Sequence, residues 1–440
     1  MAENFHNPKR LSKKWFLNFW PHQYARVFHL LILFRSLIIS VYEKKIVPVL
    51  VDKFSFIFLP IVWGLNIIRI KFVMNIALGT GHIISDFDNF LRLRHSHYIA
   101  SDFKYFVVLK NNSLASGFAE IYGSHANKFI VSTFWYNILN PILLSFPELA
   151  VDVGLSRIKH RIKKDSDFTI DAPFTQIIPK IDGYNSWLQY YKLKKNSYKY
   201  QPLLSGNWEN HSLWDFIGSK NIALVHVKTK VMNATALPTD PLTYQSAIEY
   251  LTSLGMTIIK IGDEPMPEIF QKLGVIDYPK SQHASFANDL RLVRQAQITL
   301  VAGSGVGWLP DLMERPQVYL NFWHTFTPPF SEYCILVPTL ISNIKKPQEF
   351  LSFREQFRLY SEAPDRGAEV FPSDEYTARN ATADEVLAAV KECLINAQKK
   401  SSLTTYQKSF SAIDKDGWLA FAQCRVSEYF IEKHRDILKR

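Results

Sequence analysis

A glycine-rich turn in the second half of the chain has the clearest capacity for chemistry. The run Gly303-Ser304-Gly305-Val306-Gly307 follows a short apolar strand and precedes an apolar helix. Glycines at such a turn leave backbone N–H groups accessible, and the N-terminus of the following helix adds a partial positive charge. We therefore predict that Ser304, Gly305, Val306 and Gly307 bind phosphates, with a tight turn that holds no ligand as the alternative. No Gly-Lys-Ser/Thr follows the turn, which excludes a Walker loop.

Polar residues also stand at the ends of three predicted strands in the same half. His226 and Lys228 end the first strand, Asp263 follows the second and Asp277 closes the third. Because the carboxyl ends of parallel strands share one edge of a sheet, these side chains should lie beside the glycine turn. Lys228 is predicted to meet the phosphates as a point charge, with Lys230 as a second candidate, and His226 to bind the donor beside it. Asp263 is predicted to hold a ribose or sugar hydroxyl, and Asp277 to recognise a base. Solvated strand ends and turn-forming aspartates are the alternatives.

In the first half, the sequence Gly79-Thr80-Gly81-His82 separates a predicted strand from a predicted helix. An imidazole beside a cleft can deprotonate a hydroxyl group, so His82 is a candidate general base. Asp86 lies one helical turn further on and could orient His82 or act in its place. The alternative is that His82 only begins the helix.

Alternating strands and helices must position these residues. The predicted strands are 71–78, 105–109, 129–132, 221–227, 256–261, 275–278, 298–301 and 317–320. The predicted helices include 83–93, 243–254, 287–296 and 308–314. Such alternation is typical of parallel sheets with helices on both faces. The sequence therefore predicts an α/β fold with two Rossmann-like domains that face a cleft, which is the GT-B architecture.

The start of the chain has a different pattern. Two apolar stretches, 28–42 and 54–68, are each shorter than the roughly 20 residues that span a bilayer. Basic and aromatic residues surround them, no signal-peptide cleavage site follows, and the whole chain carries a net charge of +11. These features predict a helical segment inserted into one anionic leaflet. Two core helices with snorkelling lysines, a re-entrant hairpin, or a true span from residue 54 remain as alternatives.

Composition narrows the class of protein further. Hydrophobic residues make up 47% and charged residues 21% of the 440 residues, as expected of a folded chain with a sizeable core. No zinc-finger spacing or RNA-binding strand motif accompanies the positive charge, so nucleic acid is not an expected partner. The cysteines, Cys334, Cys393 and Cys424, are few and widely spaced, which predicts buried reduced thiols rather than disulfides or a zinc site.

Several of these segments together resemble a family of bacterial glycosyltransferases encoded in surface-polysaccharide clusters. The resemblance covers about 70–393 and is carried by 69–92, His226-Val227-Lys228, 259–266, 275–281, 304–321 and 380–385. The C-terminal part is similar, more distantly, to GT-B fucosyltransferases with a His-x-Arg phosphate-binding element. Lys228 stands where those enzymes carry Arg, so a single ammonium replaces a bidentate fork. The loop from Gly79 to His82 resembles the acceptor-side loop of the peptidoglycan N-acetylglucosaminyltransferase.

The resemblance implies transfer of a hexosyl or deoxyhexosyl group from a nucleotide-sugar donor to a lipid-linked saccharide. Together with the basic, apolar start of the chain, it predicts attachment to anionic lipids at the cytoplasmic face of a bacterial inner membrane, as a peripheral or monotopic protein. No Asp-x-Asp motif stands in the setting of a metal-dependent transferase, so we expect no metal and no cofactor other than the donor substrate. A nucleotide-sugar epimerase of the same fold and a non-catalytic scaffold of a polysaccharide assembly complex are the alternatives.

This interpretation divides the chain into four parts. A membrane-associating helical segment occupies 1–69, and an N-terminal Rossmann-like acceptor domain occupies 70–207. A C-terminal nucleotide-sugar-binding domain follows at 208–400, and C-terminal helices complete the chain at 401–440.

Overall fold

The structure is a computed structural model in which eleven ranges of the chain are described. These ranges are 59–74, 76, 78–145, 149–155, 183–229, 238–322, 328–362, 370–372, 374–399, 402–414 and 418–439. Residues 1–58 of the predicted membrane-associating segment and the candidate Lys230 therefore lie outside the described residues. No helix within the described ranges is both long enough and apolar enough to cross a bilayer.

The first domain is built on a four-stranded parallel sheet. Its strands are β1 (Ile70–Met74), β2 (Lys104–Leu109), β3 (Lys128–Val131) and β4 (Ala150–Asp152). Its helices are α1 (Leu59–Ile67), α2 (Thr80–His95), α3 (Ser113–Tyr122), α4 (Thr133–Ser145) and α5 (Gly183–Asn196). The strand order is β3-β2-β1-β4, with every neighbouring pair parallel.

The first strand ends earlier than predicted, and the next helix begins earlier. β1 stops at Met74, and α2 starts at Thr80, so the predicted glycine turn becomes the first turn of the helix. Gly79 is the N-cap residue and has no side chain to accept from the first N–H groups. The first backbone N–H groups of α2 are therefore not capped by a side chain of the N-cap residue.

The second domain contains a larger parallel sheet. Its strands are β5 (Ile222–His226), β6 (Thr257–Lys260), β7 (Ile276–Asp277), β8 (Ile298–Ala302), β9 (Gln317–Phe322), β10 (Cys334–Pro338) and β13 (Arg425–Val426). A separate antiparallel hairpin joins β11 (Leu340–Asn343) to β12 (Tyr376–Arg379). The seven strands lie in the order β13-β10-β9-β8-β5-β6-β7. The predicted α/β fold with parallel sheets is thus confirmed, and the strand order reverses between β5 and β8, where such sheets bind ligands.

Helices cover this second sheet and follow the apolar periodicity of the sequence. They are α6 (His211–Ile217), α7 (Gln245–Ser253), α8 (Glu268–Lys272), α9 (Phe286–Gln295), α10 (Trp308–Leu312), α11 (Phe353–Glu362) and α12 (Ala383–Gln398). α12 begins with the predicted capping box, in which Thr382 and Glu385 bond each other's backbone N–H groups.

The C-terminal tail contains a strand in addition to the helices that the sequence predicts. It contains α13 (Thr405–Ser411), α14 (Trp418–Phe421), α15 (Glu428–Lys433) and α16 (Arg435–Lys439), with β13 between α14 and α15. β13 pairs in parallel with β10, so the tail completes the edge of the second sheet. Lys195 of α5 donates to the carbonyl of Ala420 at 3.0 Å, which also joins the tail to the first domain.

One hydrophobic core crosses the boundary between the domains. It includes Phe87 and Phe118 from the first domain and Leu290 and Leu309 from the second. α3 packs closely on α9 because Gly117 has no side chain, and a Cβ there would come within 2.7 Å of the Ala287 nitrogen. The two domains are therefore held in direct contact.

A buried carboxylate ties the hairpin and the tail to α12. Glu385 is fully buried and contacts Arg379 of β12 at 3.0 Å, Lys433 at 3.1 Å and His434 at 2.8 Å. Burial by itself opposes ionisation of Glu385, but hydrogen bonds from His434, the Thr382 N–H and Arg379 outweigh it and lower its pKa. Glu385 is thus charged in the folded protein at neutral pH.

We expect Glu385→Gln to lower the free energy of unfolding by about 2 kcal/mol at neutral pH. This loss is smaller than for a fully buried ion pair, because the partners Arg379 and Lys433 are partly exposed to solvent. A carboxylate with a lowered pKa stabilises the fold above its unfolded pKa, about 4.3. The difference between variant and wild type should therefore shrink as the pH falls below that value. Urea unfolding at pH 7 and at acidic pH measures it. Glu349→Gln, which breaks an exposed pair with Lys346, is the control, and an equal loss in both variants would contradict the prediction.

Candidate active site

The glycine turn has the form that the sequence predicts, but its hydrogen bonds are partly internal. It leaves β8 at Ala302 and forms a 3-10 turn at Gly305–Gly307 before α10 begins. The Ser304 hydroxyl oxygen accepts from the N–H of Val306 at 3.3 Å, and the Ser304 carbonyl accepts from the N–H of Gly307 at 3.0 Å. The Ser304 hydroxyl proton and the N–H of Gly305 are not used by these internal bonds of the turn.

Tyr319 of β9 fixes the shape of this turn. Its hydroxyl donates to the Ser304 carbonyl at 2.9 Å and accepts from the Ser304 N–H at 3.2 Å. Its ring lies so close to Gly307 that a Cβ there would be 1.9 Å from Cε2. Burial raises the pKa of Tyr319 well above its ordinary value, so the phenol stays neutral and positions the turn by hydrogen bonding alone.

The beginning of α2 packs directly on the glycine turn. A Cβ on Gly81 would come within 2.7 Å of Trp308 Cδ1 and 2.8 Å of the Gly305 carbonyl oxygen. The first backbone bond of α2 runs from the N–H of Ile83 to the Gly79 carbonyl at 2.9 Å. The earlier N–H groups of this 16-residue helix therefore add positive potential at the contact between the domains.

A cavity of about 230 Å³ opens where these elements meet. It is lined by His82, Lys228, Gly303, Ser304, Gly305, Gly307, Trp308, Asp311, Tyr319 and Pro329. Five of the predicted site residues are therefore brought together, namely His82, Lys228, Ser304, Gly305 and Gly307. Lys228 follows β5 and Ser304 follows β8, so the cavity lies where the strand order reverses.

Two of the predicted site residues lie in the protein interior instead. Asp86 is fully buried in α2, where its Oδ1 accepts from the N–H of Leu155 at 2.9 Å. His226 is buried, and burial together with the charge of Lys228 lowers its pKa to about 4, so its ring is neutral at neutral pH. Neither side chain lines the cavity, and Asp86 holds the segment after β4 through its bond with Leu155.

The remaining predicted residues are also outside the cavity lining. Asp263 is exposed at the end of β6. Asp277 forms ion pairs with Lys280 at 3.0 Å and with Lys260 at 3.9 Å. Val306 packs against the core that the two domains share and against a second core within the second domain, so its contribution to the turn is through its backbone.

A buried pair of charges, which the sequence does not predict, links Asp311 of the cavity lining to Lys194. Asp311 is fully buried; its Oδ1 accepts from the N–H of Ser331 at 2.7 Å, and its Oδ2 lies 3.7 Å from Lys194 Nζ. The Lys194 ammonium also lies 4.4 Å from the centre of the Phe330 ring. Burial raises the pKa of Asp311 and lowers that of Lys194, and each charge opposes the shift of the other. The pair joins α5 of the first domain to α10 of the second.

Metal-ligating side chains do not cluster in the described ranges. No group of three or more His, Cys, Asp or Glu side chains there is arranged to hold a metal ion. The three cysteines are buried and unpaired, as predicted.

No protein-family model matches the chain, and no curated protein is similar to it. Among solved structures, it is similar to a glycosyl transferase of family 9 from Veillonella parvula DSM 2008, with 11% identity, 74% of this chain and 97% of that chain covered, and a TM-score of 0.41. It is also similar to the ADP-heptose lps heptosyltransferase II of E. coli, with 11% identity and a TM-score of 0.43. That match covers 75% of this chain and 100% of the E. coli chain. A third similar structure is the E. coli heptosyltransferase WaaC with ADP, with 9% identity and a TM-score of 0.34. That match covers 68% of this chain and 99% of the WaaC chain. Likeness at this level leaves the family open, and the similarity to fucosyltransferases stays a prediction.

Proposed function

We propose that the chain is a GT-B glycosyltransferase that takes a sugar from a nucleotide-diphosphate donor. The observation that carries this proposal is the meeting of three predicted features in one cavity. The ammonium of Lys228 and the hydroxyl of Ser304 come from the second domain, and His82 comes from the first. A donor site and a candidate base thus face the same space, as transfer to an acceptor hydroxyl requires.

The diphosphate is the part of the donor that this cavity fits best. Sugar transfer leaves negative charge on the diphosphate, and preorganised donors in a site shielded from water stabilise such charge strongly. Lys228 supplies a full positive charge, Ser304 and the Gly305 N–H supply hydrogen bonds, and the start of α2 adds its partial charge. We therefore propose that these groups, without a metal ion, hold the leaving nucleoside diphosphate.

The size of the cavity indicates how the donor enters. Its volume of about 230 Å³ is below the roughly 300–1,000 Å³ of sites that enclose a complete small-molecule ligand. A diphosphate fits such a space, whereas a whole nucleotide sugar needs more. We propose that the contact between α2 and the glycine turn opens to admit the donor and closes again over its phosphates.

Within the described ranges, Asp311 is the one carboxylate in the cavity lining, and it already faces Lys194. An epimerase of this fold is expected to have several carboxylates in its cleft, so the lining favours transfer. We propose a saccharide on a lipid as the acceptor and the cytoplasmic face of the inner membrane as the location. The strongly basic and apolar sequence before α1 supports both proposals.

The proposal is tested by nucleotide binding to the full chain and to two matched lysine variants. Lys228 follows β5 at its carboxyl end, whereas the exposed Lys220 precedes β5 by the same two residues at the opposite edge. We expect ADP, GDP, UDP, CDP or dTDP to stabilise the wild-type chain in a thermal-shift series. Lys228→Ala should weaken that binding roughly 10- to 100-fold, because a charged hydrogen bond is lost, and Lys220→Ala should bind like wild type.

Three further outcomes separate the alternatives. A chain that no nucleotide or nucleotide sugar stabilises would be a scaffold, and the transferase proposal would fail. Release of an epimerised sugar would instead identify the epimerase. Slow hydrolysis of one nucleotide sugar that disappears in Lys228→Ala and in Ser304→Ala, but persists in Lys220→Ala, would support transfer.

A further inference from the structure

The helix α1 exposes an apolar surface that a soluble helix would bury. Of its nine residues, Leu59–Ile67, Asn66 is the one with a polar side chain. Val62 packs into a buried cluster with Phe72, while Trp63 is 72% exposed and Ile67 is 60% exposed. A helix that is apolar on every side is normally surrounded by protein or lipid. The outer side of α1 therefore requires an apolar partner.

The neighbouring helix α4 extends this surface. Phe134 is 64% exposed and Trp135 is 49% exposed, and their rings touch edge to face at the beginning of α4. The inner sides of α1 and α4 share the buried cluster of Val62 and Leu143, so the two helices cover the same face of the first sheet. We call the exposed residues Ile61, Trp63, Ile67, Phe134 and Trp135 the apolar face.

Exposed lysines stand beside both helices of the apolar face. The N–H of Lys104 donates to the Arg69 carbonyl at 2.7 Å, which places Lys104 next to the end of α1. The N–H of Ser132 donates to the Leu109 carbonyl at 3.0 Å, which places Lys110 next to the start of α4. Neither lysine has an acidic partner among the residues that the structure describes, whereas Arg69 is paired with Asp102.

We propose that the apolar face is a docking surface for an anionic lipid bilayer. Tryptophan and branched apolar side chains beside lysines match the boundary between acyl chains and acidic headgroups. The segment 1–58, which leads directly into α1, contains nine basic and three acidic residues, so it adds attraction to the same surface.

The position of α4 gives the docked protein an orientation. α4 follows β3, so Phe134 and Trp135 lie at the carboxyl edge of the first sheet. The beginning of α2, with His82 in the cavity, follows β1 at that same edge. The part of the apolar face formed by Phe134 and Trp135 therefore lies at the same edge of the first sheet as the cavity, so docking would bring the cavity close to the bilayer surface. The functional role of this docking rests on the proposed function, because a lipid-linked acceptor would reach the cavity from the membrane.

Vesicle flotation of the full chain tests the surface directly. The variants Trp63→Ser/Ile67→Ser and Phe134→Ser/Trp135→Ser each remove one part of the apolar face, and Ile395→Ser removes an equally exposed isoleucine (63%) from α12. On vesicles of phosphatidylethanolamine and phosphatidylglycerol, each double variant should bind roughly tenfold more weakly or worse. Ile395→Ser should bind like wild type, and wild type should bind neutral phosphatidylcholine vesicles poorly.

A fluorescent label shows whether lipid, and not protein, covers the face. The native cysteines are buried, so a single cysteine in Trp135→Cys can be labelled selectively with an environment-sensitive dye. We expect its emission to shift to the blue only when anionic vesicles are added, with no shift for Ile395→Cys. Unchanged vesicle binding in both double variants would overturn the proposal. A dye already shielded without vesicles would overturn it too, because residues 1–58 or a second copy would then cover the face.

The failure of this inference can be told from the failure of the proposed function. The two double variants should keep the thermal shift with nucleotide, because their substitutions are outside the cavity. Lys228→Ala should keep vesicle binding, because it leaves the apolar face unchanged. Loss of nucleotide binding with intact vesicle binding would count against the transferase alone.

Discussion

Gly307→Ala should lower the free energy of unfolding by about 3 kcal/mol and remove nucleotide binding. The backbone tolerates the change, since φ at Gly307 is −62°. The cost comes from the new methyl group, which would lie 1.9 Å from Cε2 of Tyr319. Because Tyr319 is buried and bonds both backbone groups of Ser304, its ring cannot move without displacing the turn. Chemical unfolding and nucleotide thermal shifts measure the two effects.

Gly123→Ala is the matched control, because φ there is −56° and a Cβ would meet no atom within 4 Å. The double variant Gly307→Ala/Tyr319→Val separates stability from binding. It removes the clash and should recover part of the lost stability, but without the phenol the turn should still fail to bind nucleotide. Normal binding in the double variant would show that Tyr319 does not position Ser304.

Lys194→Met is the second change for which we expect a large effect, a loss of roughly 3–5 kcal/mol. The methionine fills a similar volume but leaves the fully buried Asp311 without its counter-charge. A carboxyl group with a raised pKa destabilises the fold as the pH rises above its unfolded value. The deficit should therefore be largest at neutral and alkaline pH and should shrink in acid, where Asp311 takes up a proton. Urea unfolding across pH measures the deficit.

A double-mutant cycle assigns this loss to the pair. Asp311→Asn removes the charge but keeps an oxygen that can accept from the Ser331 N–H. Lys194→Met/Asp311→Asn should therefore recover most of the stability that Lys194→Met loses. Lys199→Met, at an exposed lysine just beyond the same helix, should change little. If Lys194→Met were no worse than Lys199→Met, the buried pair would have no role in joining the domains.

The sequence predicted the part of the site that strand ends determine. Apolar runs located β5 and β8, and the carboxyl ends of parallel strands lie together, so Lys228 and Ser304 were expected at one place. His82 was expected there because a glycine turn between a strand and a helix lies at the same edge in the other domain. The geometry of all three in one cavity agrees with that reasoning.

Residues that act through packing could not be identified in this way. Tyr319 lies in an apolar strand and gives no sign that its hydroxyl bonds a turn fifteen positions earlier. Lys194 lies between Lys192 and Lys195, a pattern that resembles a solvated helix face, yet it is buried between domains. Asp86 seemed to follow His82 toward the cleft, but α2 is buried on all sides from Ile83 to Leu93. Because both domains pack against α2, its polar residues are buried together with its apolar ones. The spacing of polar and apolar residues therefore does not show which side of α2 faces the cleft.

The edge strand β13 has a consequence for how the protein is made. β13 pairs with β10, although the hairpin, α11, α12 and α13 come between them in the chain. Such distant pairing forms slowly and waits until the ribosome has released the later segment. Because α14, just before β13, also contacts α5, the first domain acquires this support only at the same late stage. A nascent chain that stalls before this region would expose an unpaired sheet edge, the kind of surface that chaperones and proteases recognise.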